Sequence, residues 1–244
     1  MNKITVVYED RDILVCFKPA GIPTQTAALT AQDMVSMVKS YLAAATGEKN
    51  PYLALVHRLD QPVSGLLVFG KHKKSALVEL REKQYHALCI GSIVEKEGVL
   101  RHYLWKNPKT SMAEICNGRE MGNKGEGQAA FLQHKEKRNK EQKEAVLFYK
   151  VEREDEDCSL VRVRLETGRF HQIRAQFSAI GHPLLGDQKY GSILSKELSI
   201  KKGIRTVALC ADRLKIMHPT NKREMEFRLP GELLPDWNKG RIVR

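Results

Sequence analysis

The sequence predicts an α+β fold with a mixed, largely antiparallel sheet and flanking helices and loops. Apolar and polar residues alternate over short stretches such as 161–166 and 224–229, which is the pattern of half-buried strands. Helical patterns are fewer and do not alternate strictly with the strands, so a regular succession of β-α-β units is not indicated. The chain has 244 residues with no internal repeat or convincing boundary, and we predict a single domain over 1–244.

The N-terminal part of the chain contains two predicted strands and a predicted helix. The strands are expected at 4–8 and 13–17, separated by a charged turn and ended by Lys18-Pro19-Ala20-Gly21. For the helix, Thr30 is the predicted N-cap with Asp33 three residues later, and Gly47 follows its end. Beyond it, the spacing of apolar residues predicts a strand at 66–69, a helix at about 73–82 and a strand at about 85–93.

The middle of the chain changes character at 107–145. Glycines and charged residues dominate there, and 134–143 has only polar side chains, with five Lys or Arg and two Glu. We predict a loop-rich basic insertion around one or two short edge strands. Such a charged stretch fits either a solvated surface or contact with a phosphate backbone, and the residues alone leave both open.

Composition and charge narrow the functional classes. No apolar stretch approaches the ~18–20 residues of a membrane helix and no signal-peptide core is visible, so we expect a cytoplasmic protein. The 5 cysteines show no C-x-x-C pair or zinc-finger spacing, and we expect them to be reduced. The 41 Lys and Arg against 29 Asp and Glu give a net charge of +12, which favours a nucleic-acid partner, although solubility alone would also explain it.

The segment 56–68 carries three ionisable residues, His57, Arg58 and Asp60, between two apolar stretches. Pro62 and Gly65 predict a turn there, which delivers the polar side chains from the end of a buried element. A carboxylate in such a place needs a cation or hydrogen-bond donors to stay charged. On the residues alone, Asp60 is equally explained as the cap of its turn, with His57 and Arg58 as structural partners.

A second segment, 165–183, predicts a helix whose apolar stripe of Ile173, Phe177 and Ile180 faces the core. Its first turns carry donor side chains, namely Arg169, His171, Gln172 and Arg174. Basic residues oppose the helix dipole at this end, so their presence favours anion binding over an ordinary surface helix. Arg174 is expected at the margin of the buried face, where it can pair with a carboxylate.

A third segment opens a strand with Lys83 and Tyr85, and Tyr85 either packs in the core or stacks on a nucleobase.

Together these segments resemble the RluA-type family of RNA pseudouridine synthases. The likeness runs in order along nearly the whole chain, and its motifs are Lys18-Pro19-Ala20-Gly21, His57-Arg58-Leu59-Asp60 with Ser64-Gly65-Leu66-Leu67, Lys83 with Tyr85 and Ala87, Gly168-Arg169 through Arg174 to Gly181-His182-Pro183, Gly186-Asp187, and the stretch 209–230.

The resemblance implies that the protein isomerises a specific uridine in structured rRNA or tRNA. The N-glycosidic bond is cut, the uracil turns while held, and it is rejoined through C5, without a cofactor. Asp60 matches the family's catalytic aspartate, Arg174 the arginine that pairs with it, and Tyr85 the active-site tyrosine. The resemblance implies that Tyr85 stacks on the target base, and assistance in removing the proton from C5 is a second role left open for it. The base has to be flipped out of the RNA for this chemistry. Whether attack occurs at the sugar or by another route stays open.

The same resemblance gives expectations about RNA contacts. We expect five residues to hold the RNA: His57, Arg58, Arg169, His171 and Lys18. Val63 replaces the Thr of many relatives, which removes a hydroxyl but keeps the β-branched shape. An N-terminal S4-type RNA-binding domain is not expected, since the chain starts almost at the catalytic strands. Substrate choice is therefore predicted to rest on the catalytic domain, with 118–143 as the candidate segment.

Other functional classes fit less well. An RNA-binding module without chemistry would have no use for a buried carboxylate that repels phosphate. A phosphotransferase needs a glycine-rich phosphate loop, and residues 122–127 have the wrong order and position for one. The histidines show no metal-ligand spacing, so we expect neither metal nor cofactor, and we expect a monomer.

Overall fold

The computed structural model describes residues 4–27, 31–116 and 142–238, and within them eleven strands form one sheet. The strands are β1 (Thr5–Glu9), β2 (Ile13–Lys18), β3 (Ala54–Leu55), β4 (Ser64–Gly70), β5 (Glu79–Ile90), β6 (Glu97–Asn107), β7 (Met112–Cys116), β8 (Lys143–Glu154), β9 (Cys158–Leu165), β10 (Leu209–Met217) and β11 (Glu224–Arg228). The helices are α1 (Met34–Thr46), α2 (Gln172–Ala179) and α3 (Ile193–Lys201), with 3-10 turns at Lys73–Leu77, Gly231–Leu233 and Asp236–Asn238. The predicted α+β class is confirmed.

The strand order brings distant parts of the chain together. It runs β1-β2-β4-β10-β5-β9-β8-β6-β7, with β11 beside β10 and β3 beside β4. Every pair is antiparallel except β4 with β10. At this parallel junction Gly65 has φ +135°, and a Cβ there would lie 2.4 Å from the carbonyl oxygen of Ala211. Only glycine fits at this close approach of β4 to β10. Because β10 lies between β4 and β5 in the sheet, the approach also brings the turn before β4 near β5.

The main core lies between one face of the sheet and the helices α1 and α2. Leu67 and Phe69 of β4 pack in the same cluster as Ile173 and Phe177 of α2. Burial of each such side chain contributes roughly 1.5–3 kcal/mol, so this face holds α2 firmly against the sheet. Helix α2 thereby presents its N-terminal residues beside the turn that precedes β4.

Helix α1 begins later than its sequence pattern predicts. Its N-cap is Asp33, whose Oδ1 accepts a hydrogen bond of 2.7 Å from the backbone N–H of Ser36, while the Ser36 hydroxyl reaches the Asp33 N–H. The predicted N-cap, Thr30, lies outside the described residues. Gly47 ends the helix in the left-handed conformation with φ 76°, as predicted.

Replacement of Asp33 by alanine is expected to lower the free energy of unfolding by about 1–2 kcal/mol. The variant loses the cap bond to Ser36 and a second bond of 2.7 Å from the Thr26 N–H. Urea unfolding measures the change, with Ser40→Ala on the exposed side of α1 as a control expected within about 0.5 kcal/mol. Equal stability of the two variants would contradict this cap assignment.

The prediction of a helix at 73–82 is wrong. A 3-10 turn spans Lys73–Leu77, and β5 starts at Glu79. Residues 79–84 pair with β10 on one side, and from Gln84 onward β5 also pairs with β9. Pairing with β10, in a strand that continues into the doubly paired part of β5, outweighs the helix propensity of the Glu, Lys and Arg residues in this stretch.

In the described part of the segment 107–145, which is 107–116 and 142–145, β7 is an edge strand, because it is the last strand in the sheet order. Most of the basic stretch and of the candidate selection segment 118–143 lies outside the described residues, so that expectation stays a prediction. The single-domain organisation also stays a prediction. Within the described part of the chain, no helix is long and apolar enough to cross a membrane.

Candidate active site

Asp60 lies in the turn between β3 and β4, and buried neighbours fix this turn from two sides. The Lys18 ammonium donates to the carbonyl oxygens of Gln61 and Val63 at 3.0 and 2.6 Å, and to that of Pro19. On the other side the Thr24 hydroxyl donates to the carbonyl oxygen of Leu59 at 2.8 Å. The Asp60 side chain itself is 27% exposed. A carboxylate is therefore held in place while one side of it stays open.

Lys18 is not placed to contact RNA, contrary to the sequence prediction. It is fully buried, and its three N–H donors all go to backbone carbonyls. Burial lowers the pKa of Lys18 to about 8, although the Asp60 charge acts in the opposite direction. We replace the predicted phosphate contact with a structural role, because Lys18 shapes the backbone that carries Asp60.

Arg174 joins two carboxylates from a buried position. Its side chain is 3% exposed, and its Nε and Nη2 donate to Asp187 at 2.6 and 2.8 Å, while Nη1 donates to Asp60 at 3.3 Å. Burial opposes the charge, but the hydrogen bonds and charges of Asp187 and Asp60 raise the pKa of Arg174 above its ordinary value. Asp187 is itself fixed by the backbone N–H groups of Lys189 and Tyr190. Arg174 is thus held rigidly with one edge toward Asp60.

His171 lies on the other side of Asp60. Its Nε2 is 3.7 Å from Asp60 Oδ2, and its Nδ1 is 2.9 Å from the Tyr190 hydroxyl, which also accepts the N–H of Ala113 in β7. Burial lowers the pKa of His171 to about 4, so the ring is neutral at pH 7. A proton on Nε2 then faces Asp60 while Tyr190 donates to Nδ1.

Tyr85 forms one wall of a cavity of about 90 Å³ that also contains Asp60 and Arg174. The ring is 5% exposed, and burial together with the Asp60 charge raises the pKa of Tyr85, so the phenol is neutral. Part of the remaining lining is aliphatic, formed by Leu59, Val63, Leu165, Ile173 and Leu209, and the rest is polar or charged, including Arg58, Lys83, Arg169 and His171. The structure therefore brings together the three residues predicted to be catalytic, in a space of mixed lining where Asp60 is the one carboxylate among the described residues.

This cavity opens into a larger cleft of about 1090 Å³. The Lys and Arg residues that line the cleft are Arg58, Lys83, Lys106, Arg169, Arg174, Lys189 and Arg205. Asp60 is the one carboxylate among the described lining residues. A cleft with this charge attracts a polyanion and focuses its phosphates toward Asp60.

Four of the predicted RNA-contact residues line this cleft, His171 as described above and three others in different ways. Arg58 is exposed at its rim, and Arg169 is exposed with its Nε donating to the carbonyl oxygen of Glu144 at 2.8 Å. The ring nitrogens of His57 are buried without a partner among the described residues. Burial and the charge of Lys83 lower the pKa of His57 to about 3, so it is neutral.

Comparison with known proteins identifies the family. A model of the RNA pseudouridylate synthase family matches residues 12–179, which include Asp60, Tyr85 and Arg174. The chain belongs to this family. The resemblance to RluA-type synthases is confirmed, and the chain is an RNA pseudouridine synthase by family, with RNA as the class of substrate on which such synthases act.

Curated relatives of this synthase extend the match. The chain is 31% identical over 243 residues to the ribosomal large subunit pseudouridine synthase D of Pasteurella multocida and 32% identical over 247 residues to that of Vibrio parahaemolyticus. Each match covers 93% of this chain and 67% of the relative. Human RNA pseudouridylate synthase domain containing 4 shares the fold, with a TM-score of 0.71, 22% identity, and coverage of 96% of this chain and 89% of that chain.

Several residues of the synthase site were not predicted from the sequence. Asp187 belongs to a Gly-Asp motif to which no function was assigned from the sequence. Lys189 and Tyr190 follow Asp187 in the sequence and belong to no motif. Phe170 is exposed at the cleft and stacks on His171, with ring centroids 3.7 Å apart. The Lys106 Nζ lies over the Phe170 ring, 4.7 Å from the ring centroid. The one signal for these residues is their proximity in sequence to the 168–174 motif.

One group of side chains outside the synthase site has the geometry of metal ligands among the described residues: Asp10, Asp12 and His218. Its atoms are already engaged, since His218 Nε2 donates to Asp10 at 3.0 Å and its Nδ1 accepts the N–H of Asn221 at 3.2 Å. The expectation that the protein uses no metal stays a prediction.

Acidification is expected to destabilise the synthase between about pH 6.5 and pH 4. His57 and His171 are neutral when folded, with pKa values of about 3 and about 4, whereas an unfolded histidine takes up a proton near pH 6.5. The unfolded chain therefore binds more protons in this window, and stability falls as the pH falls. We expect His57→Gln and His171→Gln each to remove about 2 kcal/mol of the stability difference between pH 7 and pH 4.5.

Urea unfolding at the two pH values measures this difference. His182→Gln, which removes a histidine outside the cleft lining, is the matched control. The same pH difference in all three variants would show that neither cleft histidine is held neutral by the fold.

Proposed function

We propose that this synthase isomerises uridine in ribosomal RNA to pseudouridine, with Asp60, Arg174 and Tyr85 acting on a base flipped into the smaller cavity. The observation that carries the proposal is that Asp60, the one carboxylate among the described lining residues of the cationic cleft, shares this cavity with Arg174 and the buried ring of Tyr85. A flipped nucleotide places its base in this cavity, against Tyr85 and the aliphatic side chains, and its sugar beside Asp60.

Asp60 is proposed to act on the sugar or base as nucleophile or charge stabiliser. During the reaction the bond from C1′ to N1 breaks, the bond from C1′ to C5 forms, and the proton lost from C5 is balanced by one gained at N1. No water or nucleotide is consumed. Arg174 positions Asp60 through its bond at 3.3 Å, and its own position is fixed by Asp187.

Tyr85 is proposed to hold the base by stacking. Its pKa is raised by burial and by the charge of Asp60, so the phenol is no base at pH 7. We therefore assign Tyr85 to stacking and not to removal of the C5 proton.

Replacement of Tyr85 tests the stacking role. Tyr85→Ala is expected to lower kcat/KM for pseudouridine formation by about 10- to 100-fold, since base stacking on an aromatic ring contributes about 1–3 kcal/mol. Tyr85→Phe is the matched control and is expected to stay within about 3-fold of the wild type, because the ring remains. A Phe variant as impaired as the Ala variant would assign the function to the hydroxyl.

Ribosomal RNA is favoured over transfer RNA because the relatives at 31–32% identity are named as synthases of the large ribosomal subunit. A cytoplasmic location and a monomeric state remain predictions. The basic stretch within 118–143 remains the predicted selector of the RNA site.

A pseudouridine map of total RNA from cells lacking this protein, compared with the parent, tests the function. We expect one or more large-subunit rRNA sites to lose pseudouridine and to regain it when purified protein is added to the RNA. A lost site in transfer RNA would correct the substrate. Unchanged maps would favour a protein that binds RNA without modifying it.

A further inference from the structure

The smaller cavity and the larger cleft share a set of lining residues, here called the neck. Its members include Arg58, Asp60, Lys83, Gly168, Arg169 and Arg174, which line both spaces. A nucleotide with its base in the cavity and its strand in the cleft has to pass through the neck. The sugar of this nucleotide and the phosphate attached to the sugar then lie in the neck.

The cations of the neck differ in their partners. Arg174 is bound to Asp187 and Asp60, and Arg169 donates to a backbone carbonyl. Lys83 has no ion pair or hydrogen bond among the described residues. Burial lowers the pKa of Lys83, and no carboxylate of the described residues offsets this effect. A partly buried ammonium without a counter-charge among these residues is costly, so its position points to an anion that arrives with the ligand.

The surroundings of Lys83 define where that anion would lie. Lys83 and Tyr85 are two residues apart on β5, so both side chains leave the same face of the sheet. The ammonium lies over Gly168, where a Cβ would be 3.1 Å from Nζ. The neighbouring His57 ring is neutral and supplies no charge. Lys83 thus lies next to Tyr85 on the same face of the sheet, and it lines the cleft as well as the cavity.

We propose that Lys83 binds a phosphodiester oxygen directly attached to the target uridine, and so fixes the depth to which the nucleotide enters. This inference rests on the proposed function. A phosphate is the one fully charged group of the nucleotide, and an ammonium binds it as a point charge with up to three donors. In the partly desolvated neck, such a bond is stronger than on the open surface. A contact of Lys83 with a uracil carbonyl oxygen is the competing assignment.

Three synthetic RNAs test the proposal, each spanning the uridine found by the pseudouridine map. One has phosphodiester linkages throughout, one has an uncharged methylphosphonate on the 5′ side of the target, and one has it on the 3′ side. The enzymes are the wild type, Lys83→Met and Lys189→Met. Lys189 lines the outer cleft but not the cavity, which makes it the matched control.

On the fully charged RNA, Lys83→Met is expected to lower kcat/KM by about 10- to 100-fold, as for loss of a charge-assisted hydrogen bond. On the RNA that lacks the contacted charge, the same substitution is expected to cost less than about 3-fold. Lys189→Met is expected to change kcat/KM by the same factor on all three RNAs. Should Lys83→Met fail to fold, Lys83→Gln, which also removes the charge and keeps a polar side chain, is a second variant expected to show the same dependence on the RNA charge.

An equal loss for Lys83→Met on all three RNAs would overturn the proposal in favour of a contact with the base. No loss on any RNA would also overturn it. Wild-type enzyme that forms no pseudouridine in the fully charged RNA would refute the proposed function itself, and this arm separates the two failures.

Discussion

Replacement of Asp60 by asparagine is expected to lower the single-turnover rate of pseudouridine formation by at least about 10³-fold, because the amide can act neither as nucleophile nor as a negative charge. The substitution keeps the size of the side chain. Arg174 also keeps both of its hydrogen bonds to Asp187, so the guanidinium is not left unpaired. We therefore expect the free energy of unfolding to change by less than about 1 kcal/mol.

The measurement is pseudouridine content after one turnover on the mapped rRNA site, together with urea unfolding of the same preparation. Asp157→Asn in an exposed turn is the matched control and is expected to have wild-type activity. Pseudouridine formation by the Asp60 variant at a rate near that of the control would remove this carboxylate from the mechanism.

Replacement of Asp187 by asparagine is expected to have the largest effect on stability, about 3–5 kcal/mol. The Asp187 side chain is fully buried and pairs with a guanidinium that is 3% exposed. The variant keeps one amide oxygen as acceptor, but it removes the charge of Asp187 and leaves the buried guanidinium with Asp60, at 3.3 Å, as its remaining carboxylate partner. At a temperature where the variant is folded, we expect kcat to fall about 100-fold with little change in KM, because Arg174 no longer holds Asp60 in position.

Urea unfolding and steady-state kinetics test this variant. Glu166→Gln is the matched control, since it breaks the exposed pair with Arg164 at 3.4 Å and is expected to cost less than about 0.5 kcal/mol. A stability of Asp187→Asn equal to that of the control would mean that the Arg174 pair is not a buried pair in solution. A change in KM alone would assign Asp187 to RNA binding.

Local patterns in the sequence predicted the elements that carry the site. The helix α2 follows from the spacing of its apolar stripe, and the strands β2 and β4 follow from short continuous apolar stretches, because both strands are buried on both faces. The pairing of Arg174 with Asp60 was reached through the family resemblance, since the two residues are 114 positions apart. Spacing along the chain carries no information about such a long-range contact.

Burial of charged residues is where sequence reasoning failed. Lys18 was expected to contact RNA and is instead the largest fully buried side chain of the described residues. Arg174 was expected at the margin of the core and lies inside it. Both side chains are buried because backbone carbonyls or carboxylates from distant segments accept hydrogen bonds from their N–H groups. Which acceptors lie near each side chain is known only from the fold. Lys83 shows the converse, since its lack of a counter-charge is also a property of the fold.

The cationic lining of the cleft has a consequence for turnover. Conversion of uridine to pseudouridine leaves the phosphate backbone of the RNA unchanged. The electrostatic attraction exerted by residues such as Arg58 and Arg205 is therefore the same for substrate and product. Electrostatic affinity of this kind falls steeply with salt. At low ionic strength we therefore expect departure of the modified RNA to limit the catalytic cycle, and added salt to speed multiple turnover until capture of new RNA becomes the slow step.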